Sequence, residues 1–287
     1  MTDVLKQMEE RMPRFSKGQR QIARYMLEHY EKAAYQTASR LGAIVGVSES
    51  TVVRFAIELG YAGYPELQKA LQELVRTKLT TVQRIEVTND RIGDARILEK
   101  VLASDLEKLR HTLEHADYEG FDRAIDAILS AKMIYIIGVR SSAALASFLY
   151  FYFNLIFENV RLIQATSGSE IFEQIFRLER EDAVIGISFP RYSKQLTNAM
   201  EFAKNRGART IALTDSPMAP IAGLADHLLL AKSDMVSFVD SLVAPLSIIN
   251  AIIVAIAKKK QTELSEIFGQ LESVWDANNV YEKFHES

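Results

Sequence analysis

Two stretches of this sequence put hydroxyls and cations where an anion could be held. They are Gly138-Val139-Arg140-Ser141-Ser142 and Ser188-Phe189-Pro190-Arg191-Tyr192-Ser193-Lys194. Each follows a short apolar run of strand character and precedes a helical stretch. A helix start offers unpaired N–H groups and the positive end of the helix dipole, so serine and arginine placed there complete a site for phosphate or carboxylate. The plainer use of Ser141, Ser142 or Ser193 is to cap the following helix. Two such turns, after strands expected to be neighbours, favour the anion site. Ser167-Gly168-Ser169-Glu170 follows another strand and could add a wall. Ser237, Asp240 and Ser241, ahead of a long apolar helix, could close the pocket.

A second constellation runs from Thr37 to Ala56. Leu41, Ile44 and Val45 give one helix an apolar face, and Gly46 supplies a tight turn that tolerates positive φ. Val47 fills the corner, Ser48 caps the next helix, and Val52, Val53, Phe55 and Leu59 anchor it. That arrangement holds the second helix rigidly with Glu49, Ser50, Thr51 and Arg54 outward, short polar groups suited to base edges or phosphates in a major groove. Lys17, Arg20 and Arg24 could clamp the DNA backbone. An ordinary helical hairpin with a glycine turn is the competing reading. A merely solvated face would more often carry Glu and Lys.

The elements that must position these groups fall into two patterns. Residues 1–78 read as short helices: one capped by Ser16 and running to about Tyr30, one from about Thr37 to Val45, one from about Glu49 to Leu59, and one opening at Tyr64-Pro65. Residues 79–93 read as a linker, followed by an amphipathic helix from about Asp94 to His115 and another from Tyr118 to Ser130. From Lys132 onward strands alternate with helices. Strands are expected at Met133–Val139, Val160–Gln164, Ala183–Phe189, Thr210–Thr214 and His227–Leu230, with helices at Ser141–Phe157, Ser169–Arg180, Ser193–Asn205 and Asp240–Lys260, and a last helix from about Glu263. Continuous apolar strands of this kind are buried on both faces of a parallel sheet. The expected division is 1–78 for an all-α domain, 79–116 for a linker and connecting helix, and 117–287 for a five-stranded parallel α/β sandwich.

Composition narrows the class. The chain has 287 residues, 48% hydrophobic and 25% charged, with no cysteine, so disulfides, thiolate metal sites and a cysteine nucleophile are excluded. Residues 1–78 carry 12 basic and 9 acidic side chains, a net +3, and the rest of the chain is net −6; a basic first quarter permits nucleic-acid binding. Met1 to Arg14 is too polar for a signal peptide, and Leu242 to Ala257 is too short and interrupted to span a bilayer, so a cytoplasmic protein without a membrane partner is expected. His111 and His115 share a helix face without a metalloprotease-type carboxylate, and no metal or cofactor is expected. Neither a Walker A nor a dinucleotide fingerprint is present. An aldose–ketose isomerase would need a general base. Glu170 and His227 are the candidates near strand ends, and neither lies in a recognisable catalytic motif. No enzyme is expected, with a sugar-phosphate isomerase as the alternative.

Gly46-Val47-Ser48-Glu49-Ser50-Thr51-Val52-Val53-Arg54-Phe55 followed by Leu59-Gly60-Tyr61-Ala62-Gly63-Tyr64-Pro65-Glu66 resembles the RpiR/MurR family of bacterial regulators, and the C-terminal part resembles the SIS (sugar isomerase) domain those regulators carry. The resemblance covers nearly the whole chain apart from the linker and the tail. It implies a helix-turn-helix domain, a five-stranded parallel SIS sheet, double-stranded operator DNA and a phosphorylated sugar as partners, a homodimer or homotetramer, and control of sugar-catabolism genes, usually as a repressor. Against the usual SIS loops, Ser188 and Ser193 keep the outer hydroxyls of S-x-S-G-x-T while Pro190 and Arg191 replace its centre. Gly138 and Ser142 match G-x-G-x-S while Arg140 replaces the second glycine. Two added arginines imply a more acidic or smaller effector than a simple hexose phosphate, such as a phosphorylated sugar acid.

Overall fold

Ser16 does what its position suggests: its Oγ accepts from the Gln19 amide, and Gln19 accepts back from the Ser16 amide. This reciprocal cap satisfies two N–H groups that a helix start leaves without partners. In the computed structural model, which describes residues 4–78, 80–85, 96–165, 168–235 and 238–282, the chain divides into two units. The first is Met1–Leu102 with Asp234–Asp240, the second Ala103–Ser233 with Ser241–Ser287. Ser167, Ser237 and most of the linker at 79–93 lie outside the described residues.

The first unit contains α1 (Val4–Arg11), a 3-10 turn at Met12–Arg14, α2 (Lys17–Glu28), α3 (Tyr30–Ala33), α4 (Ala38–Val45), α5 (Glu49–Glu58) and α6 (Tyr64–Lys78). Helix α1 is not anticipated from its polar sequence; Val4 and Met8, one turn apart, are its buried side. Helix α2 stops at Glu28 rather than Tyr30, because His29 leaves helical geometry (φ −138°, ψ 39°). Ile22, Met26, Leu41, Val52, Phe55, Leu67 and Leu71 are fully buried together, and the Phe15 ring meets Phe55 edge-on at 5.2 Å. Tyr64 closes this core with its hydroxyl inside: it donates to the Gln36 carbonyl at 2.9 Å and is 3.3 Å from the Ala33 carbonyl. Met235 belongs to the same core, and Asp240 is bound at 3.0 and 3.1 Å by the buried Arg84.

Helix α7 (Ile97–Glu114) leads into the second unit. The order there is α8 (Tyr118–Leu129), β1 (Ile134–Gly138), α9 (Ser142–Ile156), β2 (Val160–Ile163), α10 (Gly168–Ile175), β3 (Ala183–Ile187), α11 (Lys194–Asn205), β4 (Arg209–Thr214), β5 (His227–Leu230), α12 (Val243–Lys259) and α13 (Gln261–Ala277). The five strands form one parallel sheet in the order β2-β1-β3-β4-β5. Strand residues alternate between two cores. Ile134, Ile136 and Ile185 pack with α9 and α12 residues such as Phe153 and Ile252, while Ile137 and Val184 pack with Ile171 and Met200 from α10 and α11. Both faces are thus covered by helices, which is why the strands read as unbroken apolar runs. No helix among the described residues is long and apolar enough to cross a membrane.

Candidate functional site

In the first unit the chemistry gathers at the start of α5. Gly46 ends α4 in the left-handed region at φ 76°, and the Val47 amide bonds back to the Gly42 carbonyl at 2.9 Å. Gly42 has a role the sequence reading missed: a Cβ there would lie 2.7 Å from the Val47 carbonyl oxygen, so the two helices pack only around a glycine. Ser48 caps α5 by accepting from the Thr51 amide, and its Oγ is 2.9 Å from both the Ser50 and Thr51 hydroxyls. Glu49, Ser50 and Arg54 are exposed, and the Arg54 Nε donates to the Ser50 carbonyl at 3.2 Å. Thr51 is half-buried, because its methyl faces Gly18 of α2. This contact brings the first turn of α2 beside the first turn of α5, so exposed Lys17 and Arg20 stand near the outward residues of α5.

In the second unit the sheet order reverses direction between β1 and β3. Beyond the carboxyl ends of a parallel sheet, such a reversal opens the crevice in which α/β folds bind ligands. The two cation-bearing turns flank that point: Gly138 pairs with Ile187 as the last register of the β1–β3 ladder, Ser188 follows Ile187 directly, and Arg140 comes two residues after Gly138. Gly138 is required, since a Cβ there would collide with the Ser142 carbonyl oxygen. Arg140 is exposed and takes φ 59°, the conformation a glycine favours. Ser142 is buried in the first turn of α9, while Ser141 is exposed and makes no side-chain cap bond. Ser193 likewise makes none, so neither hydroxyl is spent on capping.

Ser188 is buried and its amide extends the ladder to the Leu213 carbonyl. Arg191 and Lys194 are exposed. Tyr192 donates to Asp215 after β4 at 2.9 Å, tying one loop to the next. Gln195, which the sequence reading passed over, lies against Gly168 at the start of α10. A cavity of about 240 Å³ is lined by Gly138, Arg140, Ser147, Gln164 and Ile171, on the β2 side of Arg140; Arg191 and Ser188 are not among its walls.

Other expectations need correcting. Asp240 and Ser241 do not close a pocket: Arg84 holds Asp240, and Ser241 donates to Asp105 at 2.6 Å, with α12 starting only at Val243. His227 is the first residue of β5 and therefore lies at the end of the sheet opposite the two turns. Burial lowers its pKa from the usual imidazole value. Glu170, in the first turn of α10, is on the same end as the turns. The His111 and His115 rings stack at 4.2 Å, and among the described residues no group of three or more acidic or histidine side chains is placed to hold a metal ion.

Comparison with known proteins agrees with this architecture. Residues 2–78 match the helix-turn-helix domain of the rpiR family and residues 127–255 match the SIS domain. The chain is a transcriptional regulator of the RpiR family. An uncharacterised HTH-type transcriptional regulator of Caldanaerobacter subterraneus subsp. tengcongensis is 25% identical over 92% of this RpiR-family chain and 94% of its own length. The HTH-type transcriptional regulator HexR of Pseudomonas aeruginosa is 26% identical over 76% of each chain. The NanR protein of Vibrio vulnificus, solved with ManNAc-6P, superposes with a TM-score of 0.60 over 96% of this chain and 98% of its own at 22% identity, a likeness of fold.

Proposed function

We propose that this regulator binds operator DNA through α5 and is controlled by a small anionic metabolite, a phosphorylated sugar or sugar acid, held at the carboxyl ends of β1 and β3. Ser48, Glu49, Ser50, Thr51 and Arg54 face the major groove, and Lys17 and Arg20 contact phosphates. Gly138, Arg140, Ser141, Ser142, Ser188, Arg191, Tyr192, Ser193 and Lys194 form the effector site, with Arg140 and Arg191 supplying the charge. The protein works as a homodimer or homotetramer in the cytoplasm, with residues 1–78 as the DNA-binding domain and 117–287 as the sensing domain. A coupling of about 1–3 kcal/mol between the sites would change DNA affinity from several-fold to a hundredfold.

The reversal of strand order supports this reading, because the two turns that carry the cations, and serines not used as helix caps, follow the neighbouring strands β1 and β3. The ligand of NanR belongs to the same chemical class. Calorimetry with hexose phosphates, phosphorylated sugar acids, inorganic phosphate and the neutral sugars tests it. Binding of the anions, weakened in Arg140→Ala and Arg191→Ala, is expected; tight binding of a neutral sugar unaffected by either change would overturn it. Of the two base candidates for the isomerase alternative, Glu170 is the one at this end of the sheet, and turnover abolished by Glu170→Gln would revive it.

A further inference from the structure

Arg54 is anchored at one atom and open at two. Its Nε donates to the Ser50 carbonyl, one turn earlier in α5, at 3.2 Å, and its Nη groups meet no acceptor among the described residues. The bond draws the side chain toward the amino-terminal end of the helix, the direction in which Cα–Cβ bonds already lean. Two parallel N–H donors are left as the leading edge of an exposed guanidinium.

The hydroxyls around it are engaged with one another. Ser48 Oγ accepts from the Thr51 amide as the helix cap and lies 2.9 Å from both the Ser50 and the Thr51 hydroxyls. A hydroxyl oxygen donates once and accepts twice, so Ser48 donates to one of these neighbours and accepts from the other. At most one of the three hydroxyl protons remains for DNA. The Nη pair of Arg54 is then the one paired set of donors that this turn presents.

We infer that Arg54 sets the sequence preference of α5 by donating its two Nη groups to the O6 and N7 of one guanine. The inference rests on the reading that α5 enters a major groove, and names what it reads there. Guanine is the base whose major-groove edge presents two adjacent acceptors; adenine sets a donor beside its acceptor, thymine has a single acceptor and cytosine a donor. A fork of donors held at a fixed angle matches that edge, and the Nε anchor supplies the fixed angle. A phosphate asks for less. A mobile cation satisfies it, and Lys17 and Arg20, in the turn that Gly18 sets against Thr51, are the cations proposed for that task. The exposed carboxylate of Glu49, in the same turn as Ser50, also repels a phosphate at this place.

Selection by the full chain from duplexes with a randomised core tests it. The wild type should enrich duplexes that share a guanine at a fixed position. Replacing that guanine by 7-deazaguanine, which lacks the N7 acceptor, should weaken wild-type binding at least about fivefold. Arg54→Ala should bind the enriched duplex about 5- to 150-fold more weakly, and selection with the variant should lose the preference at that position alone. The 7-deazaguanine duplex needs only the wild type, so the test stands even if the variant fails to fold. An enriched site without a fixed guanine, or full affinity for the 7-deazaguanine duplex, overturns the inference. So does a variant that keeps the guanine preference, weakens on all duplexes alike and loses about one unit of salt slope, which is the behaviour of a phosphate contact. These results spare the DNA-binding reading. A wild type that enriches no sequence overturns both.

Discussion

Arg140 combines two opposed demands on one residue. Its φ of 59° costs a side chain other than glycine about 1–2 kcal/mol, while its guanidinium stands at the carboxyl end of β1 where the anion is proposed to bind. Arg140→Gly should therefore raise stability by about 1 kcal/mol while lowering anion affinity at least about tenfold, as read by urea titration and calorimetry. Arg140→Ala should lower affinity without the stability gain. Unchanged affinity in the glycine variant would remove Arg140 from the site. Tyr64 makes a different pH-linked contribution: burial, then the neighbouring Tyr25, pushes its phenol up to about 12. The protonated form is favoured in the native state, so its share of stability is full below pH 10 and is lost as pH rises toward 12. Tyr64→Phe should cost about 1 kcal/mol, because the Gln36 carbonyl loses one of two donors and keeps Gln68 at 2.8 Å. His227 shifts the opposite way. Its native pKa is lowered by burial, so stability falls as pH drops below about 6.5 toward that lower value. Melting temperatures of the wild type and His227→Asn at pH 5 and 7.5 should show a smaller acid-side drop in the variant.

At the scale of elements, the α4–α5 corner depends on two glycines for different reasons. Gly46→Ala strains a left-handed position, at about 1–2 kcal/mol, whereas Gly42→Ala drives a methyl into the Val47 carbonyl and should cost more. Circular dichroism melts would rank them. Arg54→Ala, on the exposed side of α5, should leave the melt unchanged, weaken DNA binding and, if Arg54 meets a phosphate, reduce the salt slope by about one. Much at this scale was legible because the signals are local. Ser16, Thr37 and Ser48 mark helix starts through bonds three residues away, and the strands announce double-sided burial by their composition. Helix α1 escaped because its two buried residues sit among charges. The role of Gly42 escaped because its constraint comes from a backbone oxygen across the turn. Asp240 and Ser241 were misassigned because their partners, Arg84 and Asp105, are 156 and 136 residues away, beyond any spacing rule. His227 was placed correctly on a strand, but only chain direction within the parallel sheet shows which end it occupies.

At the scale of the whole molecule, the first unit takes Asp234–Asp240 from between β5 and α12, so the chain passes from one unit to the other three times. Asp240→Ala would remove both bonds that Asp240 makes to the buried Arg84 and should destabilise the first unit by about 3 kcal/mol, with Asp240→Asn milder, as followed by urea titration of the full chain. This interleaving has a consequence for biosynthesis. The helices of residues 4–78 leave the ribosome early, yet Met235, which packs in their core, and Asp240, which accepts from Arg84, are translated only after the last strand of the sheet. The part of the protein made first is therefore the part finished late, and an amino-terminal fragment cut at residue 102 would lack both the Met235 side chain in its core and the Asp240 carboxylate beside Arg84.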